Sequence, residues 1–189
     1  MNAISRWMRV PGMCAIVIGL VVASFGSGAM AATACNGVVS GSVADGVVVN
    51  AGSVCTLVNA NVSNGVRVNA GGILIACGSV ISGGLQANGA AEILVGPEEI
   101  DCDGDVINGG VTIANTGPGA FPPAPSIALE RSRISGSVHV TGSQGMIAIA
   151  DNAISGGLFC GNNAFDPEDE GMENVVTGQV RCDFQEGDE

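Results

Sequence analysis

One short pattern recurs seven times and limits what this chain can fold into more tightly than any other feature. It runs β-branched residue, small residue, Gly, Asn or Asp, any residue, Val or Leu, any residue, apolar residue. The copies start at Val43, Val62, Ile81, Ile107, Ile134, Ile154 and Val176, with spacings of 19, 19, 26, 27, 20 and 22 residues. Self-similarity near 20 residues is the mark of a solenoid, in which each repeat buries the apolar face of its neighbours.

The alternation inside each copy has period two, as in a β-strand. Val47 and Val49, Val66 and Val68, and Val111 and Ile113 point one way, toward a core. Val48, Arg67, Gln86, Thr112, His139, Phe159 and Arg181 point the other way, and this mostly polar set faces solvent. A second apolar pair precedes five of the motifs: Cys55/Leu57, Leu74/Ala76, Ile100/Cys102, Ile127/Leu129 and Ile147/Ile149. Each coil therefore supplies at least two short strands joined by Gly, Asn and Ser corners, where glycine tolerates positive φ. A ladder of small residues at 44, 63, 82, 108, 135, 155 and 177 reads as a corner stack with hydrogen-bonded side chains.

The fold expected is all-β: a single-stranded right-handed parallel β-helix of about seven coils. Crossovers between parallel strands are almost always right-handed, and the spacings do not keep the strict multiple of six of a left-handed hexapeptide helix. Coils stacked at about 4.8 Å make a rod roughly 30–35 Å long. Two spacings are long. Extra residues fall around Gly96-Pro97-Glu98-Glu99 and over 115–125, where Phe121 stands among prolines. Insertions in solenoids emerge as loops, either on a binding side or as tolerated surface.

The beginning of the chain reads as a secretory signal over residues 1–31. Arg6 and Arg9 precede an apolar run, Cys14 to Ala23, and Ala29-Met30-Ala31 fits the small-residue cleavage rule. That run is too short for a membrane span, which needs about 20 residues. A lipoprotein signal would instead end at Cys35, but Ala32, Thr33 and Ala34 lack the large aliphatic residue expected before it. The solenoid occupies 32–182, and 183–189 is a polar, acidic tail.

After residue 31 the chain has no lysine, and Arg67, Arg131, Arg133 and Arg181 stand against 18 acids, a net charge of −14 with His139 neutral. That balance excludes nucleic acid as a partner, because phosphate binding needs a basic surface. Six cysteines remain: Cys35, Cys55, Cys77, Cys102, Cys160 and Cys182. An even count in an exported chain points to disulfides and to a periplasmic, extracellular or surface location. Equivalent positions in successive coils lie about 4.8 Å apart, within disulfide reach. The pairing expected is Cys35–Cys55, Cys77–Cys102 and Cys160–Cys182.

The repeated V-x-G-x-V-x-V pattern over residues 36–182 resembles the parallel β-helix superfamily, in particular bactofilin-like polymer-forming solenoids and pectate-lyase-like β-helices. The resemblance implies architecture. The signal peptide and the six cysteines depart from bactofilins, which are cytosolic, so a cytoskeletal role does not transfer.

No catalytic set stands out. A lyase of the pectate type needs calcium-binding acids and a basic residue. Asp101, Asp103 and Asp105 with Arg131 and Arg133 are the nearest approach, and the same acids could supply the two carboxyls of glycoside hydrolysis. Asp101-Cys-Asp103-Gly-Asp105 also resembles the start of a calcium loop, but Val106 and Thr112 stand where an EF-hand needs Gly and Glu. A solvated acidic turn is the plainer reading, with calcium as the one cofactor to consider. The outward column is not a threonine array, which argues against ice binding. A non-catalytic exported structural or interaction protein is the function expected, with self-association or an envelope or polysaccharide partner. A small polysaccharide-acting enzyme or a carbohydrate- or calcium-binding protein is the alternative.

Overall fold

The structure, a computed structural model, describes residues 32–98, 102–120 and 125–185. The segment 1–31 expected to be a signal peptide, Ile100, Asp101, Phe121 and the last four residues of the acidic tail lie outside the described residues.

Nineteen strands, β1 to β19 in chain order, form two parallel sheets. The eight-stranded sheet takes β1 (Thr33–Cys35), β3 (Val47–Val49), β5 (Val66–Val68), β8 (Leu85–Asn88), β11 (Val111–Ala114), β14 (Val138–Thr141), β17 (Leu158–Gly161) and β19 (Val180–Arg181), stacked in that order. Its register follows the repeat: Val47 is beside Val66, Val66 beside Leu85, Leu85 beside Val111, and Val111 beside Val138. It has one rung more than the repeat has copies, because Thr33–Cys35 aligns with Val47–Val49.

The eleven-stranded sheet bends. Its longest strand, β4 (Val54–Val62), pairs through residues 54–58 with β6 (Ile73–Cys77) and through 61–62 with β7 (Val80–Ser82). On one side of the bend lie β6, β9 (Glu92–Val95), β12 (Ile127–Glu130) and β15 (Ile147–Ala150). On the other lie β7, β10 (Val106–Asn108), β13 (Arg133–Ile134), β16 (Ala153–Ile154) and β18 (Val175–Val176). At the first end β2 (Gly37–Val43) pairs with β4. Parallel strands joined coil to coil in this way are compatible with a β-solenoid.

The core is made of columns. Leu57, Leu74, Ile81, Leu85, Ile93, Ile107, Ile113, Ile127, Leu129, Ile134, Ile147 and Ile149 are fully buried. Each such side chain contributes about 1.5–3 kcal/mol on burial. One expected pair is corrected. Ile93 and Val95, not Ile100 and Cys102, stand in register with Leu74 and Ala76 on one side and Ile127 and Leu129 on the other. The insertion thus follows the strand instead of preceding it. A 26-residue spacing allows either placement, and Ile93-Leu-Val95 supplies a strand directly after the preceding turn.

The corners are chemically distinct. At the bend of the larger sheet, the backbone N–H of each coil donates to a side chain of the next. Ala60 donates to Ser79 Oγ (3.1 Å), Ser79 to Asp105 Oδ1 (2.6 Å), and Asp105 to Ser132 Oγ (3.2 Å). Ser132 then donates to Asn152 Oδ1 (3.0 Å), and Asn152 to Asn174 Oδ1 (3.1 Å). The residue just before this column is left-handed at Asn59, Gly78, Arg131 and Asp151, which turns the chain. The expected hydrogen-bonded stack at 44, 63, 82, 108, 135, 155 and 177 is therefore displaced. Those side chains are exposed or half-buried, and the N–H groups of Ser63, Ser135, Ser155 and Thr177 already donate to backbone carbonyls of the preceding coil, so the column two positions before each motif start carries the side-chain bonds. The corner entering the eight-stranded sheet is packed backbone on backbone. A Cβ at Gly84 would lie 2.5 Å from the Gly110 carbonyl oxygen, and one at Gly65 would lie 2.8 Å from that of Gly84.

Three disulfides hold Cys35 to Cys55, Cys77 to Cys102 and Cys160 to Cys182, with Cα atoms 5.4, 5.0 and 4.7 Å apart. Cys35 and Cys55 come from different sheets and close the core at its first end, both buried. Cys77 ties β6 to the inserted segment, and Cys160 fastens the last coil.

Candidate binding face

The eight-stranded sheet presents one face to solvent. Its outward column is a continuous ladder: Ala34, Val48, Arg67, Gln86, Thr112, His139, Phe159 and Arg181, each in register with the next. Arg67, Gln86, Thr112, His139 and Arg181 are exposed. The alternation of burial is regular in β5 and β8, so polar side chains stand out while their neighbours fill the core.

Two recesses flank the Arg67–Gln86 rung. One, of about 540 Å³, is bordered by Asp45, Val48, Asn64, Arg67 and Gln86. The other, of about 400 Å³, is bordered by Arg67, Asn69, Gln86, Asn88 and Thr112. Arg67 and Gln86 border both, so the recesses form one trough across the sheet. Asn69 Nδ2 donates to Asn50 Oδ1 (3.1 Å), and Asn115 Nδ2 to Asn88 Oδ1 (3.0 Å), which lines the sheet margin with amides. Farther along, the His139 and Phe159 rings stack with centroids 4.7 Å apart and planes at 15°.

The charge here runs against the rest of the molecule. Of the residues bordering the two recesses Asp45 is the single acid, and its Oδ1 is buried without a hydrogen-bond partner. Arg67 and Arg181 both belong to this face. Guanidinium, amide and hydroxyl donors beside one carboxylate acceptor suit a ligand rich in hydroxyl groups, and the stacked rings add an aromatic rung to the same column.

Of the acids singled out in the sequence, the two that are described differ in their surroundings. Asp103 is exposed while Asp105 is buried in the polar corner. Desolvation raises the Asp105 pKa to about 6, against the lowering effect of backbone hydrogen bonds from Ser79 and Gly96. Among the described residues no group of three or more His, Cys, Asp or Glu side chains is placed to hold a metal ion. Arg131 is engaged by the fold, donating to the carbonyl oxygens of Pro97 (3.1 Å) and Gly96 (3.4 Å). Arg133 is exposed on β13, beside Val106 and Ala153. The trough itself was half legible: the outward column is plain from the alternation, but the amide margin at Asn69 and Asn88 lies just beyond the motif.

No family model matches the chain, and neither a curated protein nor a solved structure matches it. The resemblance to bactofilins and pectate lyases thus extends to parallel β architecture and no further. Three disulfides fit an oxidising, exported environment. Among the described residues no helix is long and apolar enough to cross a membrane.

Proposed function

We propose that this chain is a non-catalytic exported interaction protein: a single-stranded right-handed parallel β-helix, freed of residues 1–31, whose open face binds an uncharged polysaccharide. The observation that carries this reading is the acid-poor trough shared by Arg67 and Gln86 on a chain otherwise rich in carboxylates. A neutral glycan satisfies such donors through its hydroxyls without meeting the repulsion that a net charge of −14 imposes on a polyanion. Ladder spacing of about 4.8 Å repeats donors regularly along the sheet, which favours a polymer over a single small molecule. Divergence of Asp103 and Asp105 supports the absence of turnover, since glycoside hydrolysis requires two carboxyls facing one bond.

Affinity electrophoresis of the exported protein in gels containing neutral or acidic polysaccharides tests this. Retardation by a neutral polymer, weakened roughly tenfold in Arg67→Ala through loss of a charged donor, is the expected result. Retardation by acidic polymers alone would overturn the choice of ligand. Shortening of a bound polymer that disappears in Asp103→Ala would overturn the non-catalytic reading.

A further inference from the structure

The two ends of the stack are built differently. At the last end β18 and β19 have two residues each, and Phe184 packs half-buried against the core. Glu168 bridges both Ala148 and Gln185, drawing the following segment across. Asp166, Glu168, Asp169, Glu170, Glu173 and Asp183 crowd this end. Short strands, covering loops and charge are the ordinary means of blunting a sheet edge.

At the first end β1 is also short, with three residues, but among the described residues neither a covering loop nor a charge stands over it. β1 pairs with β3 and β2 with β4, and among the described residues no strand pairs with their other edges. β2 is seven residues long, and the stretch from Ala32 to Ala44 contains neither charge nor proline. Val38 is 74% exposed, while Val39 and Val43 pack only partly against the end of the core. A Cβ built on Gly37 or Gly41 would meet nothing within 4 Å, so another backbone can approach β2.

We infer that the first end is an interface for a second copy of this chain, joined end to end by its own β1–β2 edge. The choice of occupant rests on edge length and charge. The last end of another copy offers two-residue strands already covered by Phe184, whereas a second first end offers the same long, uncharged edge and the same unfinished valine columns. A two-fold contact of this kind is closed, so it gives a dimer and not a filament. It also places the two acidic ends at opposite extremes of the pair, roughly 60–70 Å apart for two such rods. That distance exceeds the Debye length of about 8 Å at physiological salt several-fold.

Sedimentation of the exported protein over a range of concentrations tests the interface. A monomer–dimer equilibrium is expected. Ser40→Asp, which sets carboxylates on both edges of the pair, raises the dissociation constant roughly tenfold or more, and at dilutions where both proteins are monomers it leaves the thermal midpoint unchanged. Val38→Asp does the same from a neighbouring exposed position, and serves if the first variant is poorly folded. Val175→Asp, at the last end, leaves the dimer intact. A monomer at every soluble concentration, a filament, or a dimer dispersed by Val175→Asp and not by the β2 variants would each overturn the inference. None of these outcomes bears on polysaccharide retardation, which reads a different face.

Discussion

The open face of the eight-stranded sheet and the outer face built from β9, β12 and β15 share one backbone plan but meet their surroundings in opposite ways. Burial alternates strictly in β8 and β14, one residue in and one out. In β12 and β15 all four residues are buried. Ala128 and Ala148, outward in the register, are 0% and 3% exposed. Both inserted segments are fastened to this second face: the Glu98 N–H donates to Glu130 Oε2 (2.7 Å), and the Ala120 N–H to Glu92 Oε2 (2.9 Å). The described parts of the insertions therefore lie against this face. Stacked short coils gain burial this way on one side and leave the outward column of the eight-stranded sheet open to solvent.

The sharpest way to break the comparison is to crowd the fastened side. A Cβ at Gly104 would overlap the Arg131 carbonyl oxygen, a backbone atom fixed by the coil beyond. Gly104→Ala is expected to cost about 4 kcal/mol or more, because a main-chain clash in a packed stack relaxes only by moving a coil. Gly161→Ala, on the open sheet where nothing lies within 4 Å, is expected to stay within about 0.5 kcal/mol. Denaturant unfolding of the two variants side by side decides it, and equal losses would show that both faces tolerate bulk alike.

The next effect belongs to the corner behind the first insertion. In the polar column Ser79 and Ser132 donate onward to the Cys77 and Glu130 carbonyls, and Asn152 to the Leu129 carbonyl. Asp105 in its charged form has no proton to give, and its Oδ2 has no partner. Its folded pKa of about 6 lies above the ordinary carboxylate value of 3.8, chiefly through desolvation. The folded state therefore holds the proton more tightly than the unfolded one, and stability falls as pH rises from about 4 to about 6. Above that window the penalty is complete, about 3 kcal/mol for a shift of this size. Asp105→Asn keeps the acceptor for Ser79 and adds a donor. It is expected to stabilise the protein by up to about 3 kcal/mol at pH 7.5 and by little at pH 4. A gain of the same size at both pH values would assign the effect to packing instead.

The repeat made the columns legible because a core position must be apolar in every coil, and seven copies expose that rule. Cys160 and Cys182 share a motif position, so their bond followed from it. The corners were less legible. Ser79, Asp105, Ser132, Asn152 and Asn174 form one column, yet their side chains differ, and the left-handed turns at Gly78, Arg131 and Asp151 that precede three of them are not visible in the repeat. The first insertion was legible around residues 96–99, but the strand pair beside it was hidden: counting backward from Ile107 passes through the inserted residues, so Ile100 and Cys102 took the positions that Ile93 and Val95 occupy. The trough escaped because recesses depend on how far Arg67 and Gln86 stand from their neighbours, which alternation alone does not specify.

The smallest effect lies on the open face and asks whether its aromatic rung belongs to the fold or to a ligand. The Phe159 ring lies over Gly157, where an added Cβ would come within 2.5 Å of it, and against the His139 ring of the coil before. Such a pair is worth about 0.5–1.5 kcal/mol beyond its area. His139→Ala and Phe159→Ala are each expected to cost about 1 kcal/mol, with a coupling near 0.5 kcal/mol in the double-mutant cycle. If the stack also serves as a sugar platform, Phe159→Ala weakens polysaccharide retardation beyond anything its loss of stability explains, since the protein remains folded at room temperature. Retention of full binding in a folded Phe159→Ala variant would confine the ligand to the Arg67–Gln86 end of the face. That outcome would leave the stacked pair as the open sheet's counterpart of Glu92 and Glu130, a cross-coil contact holding neighbouring coils in register.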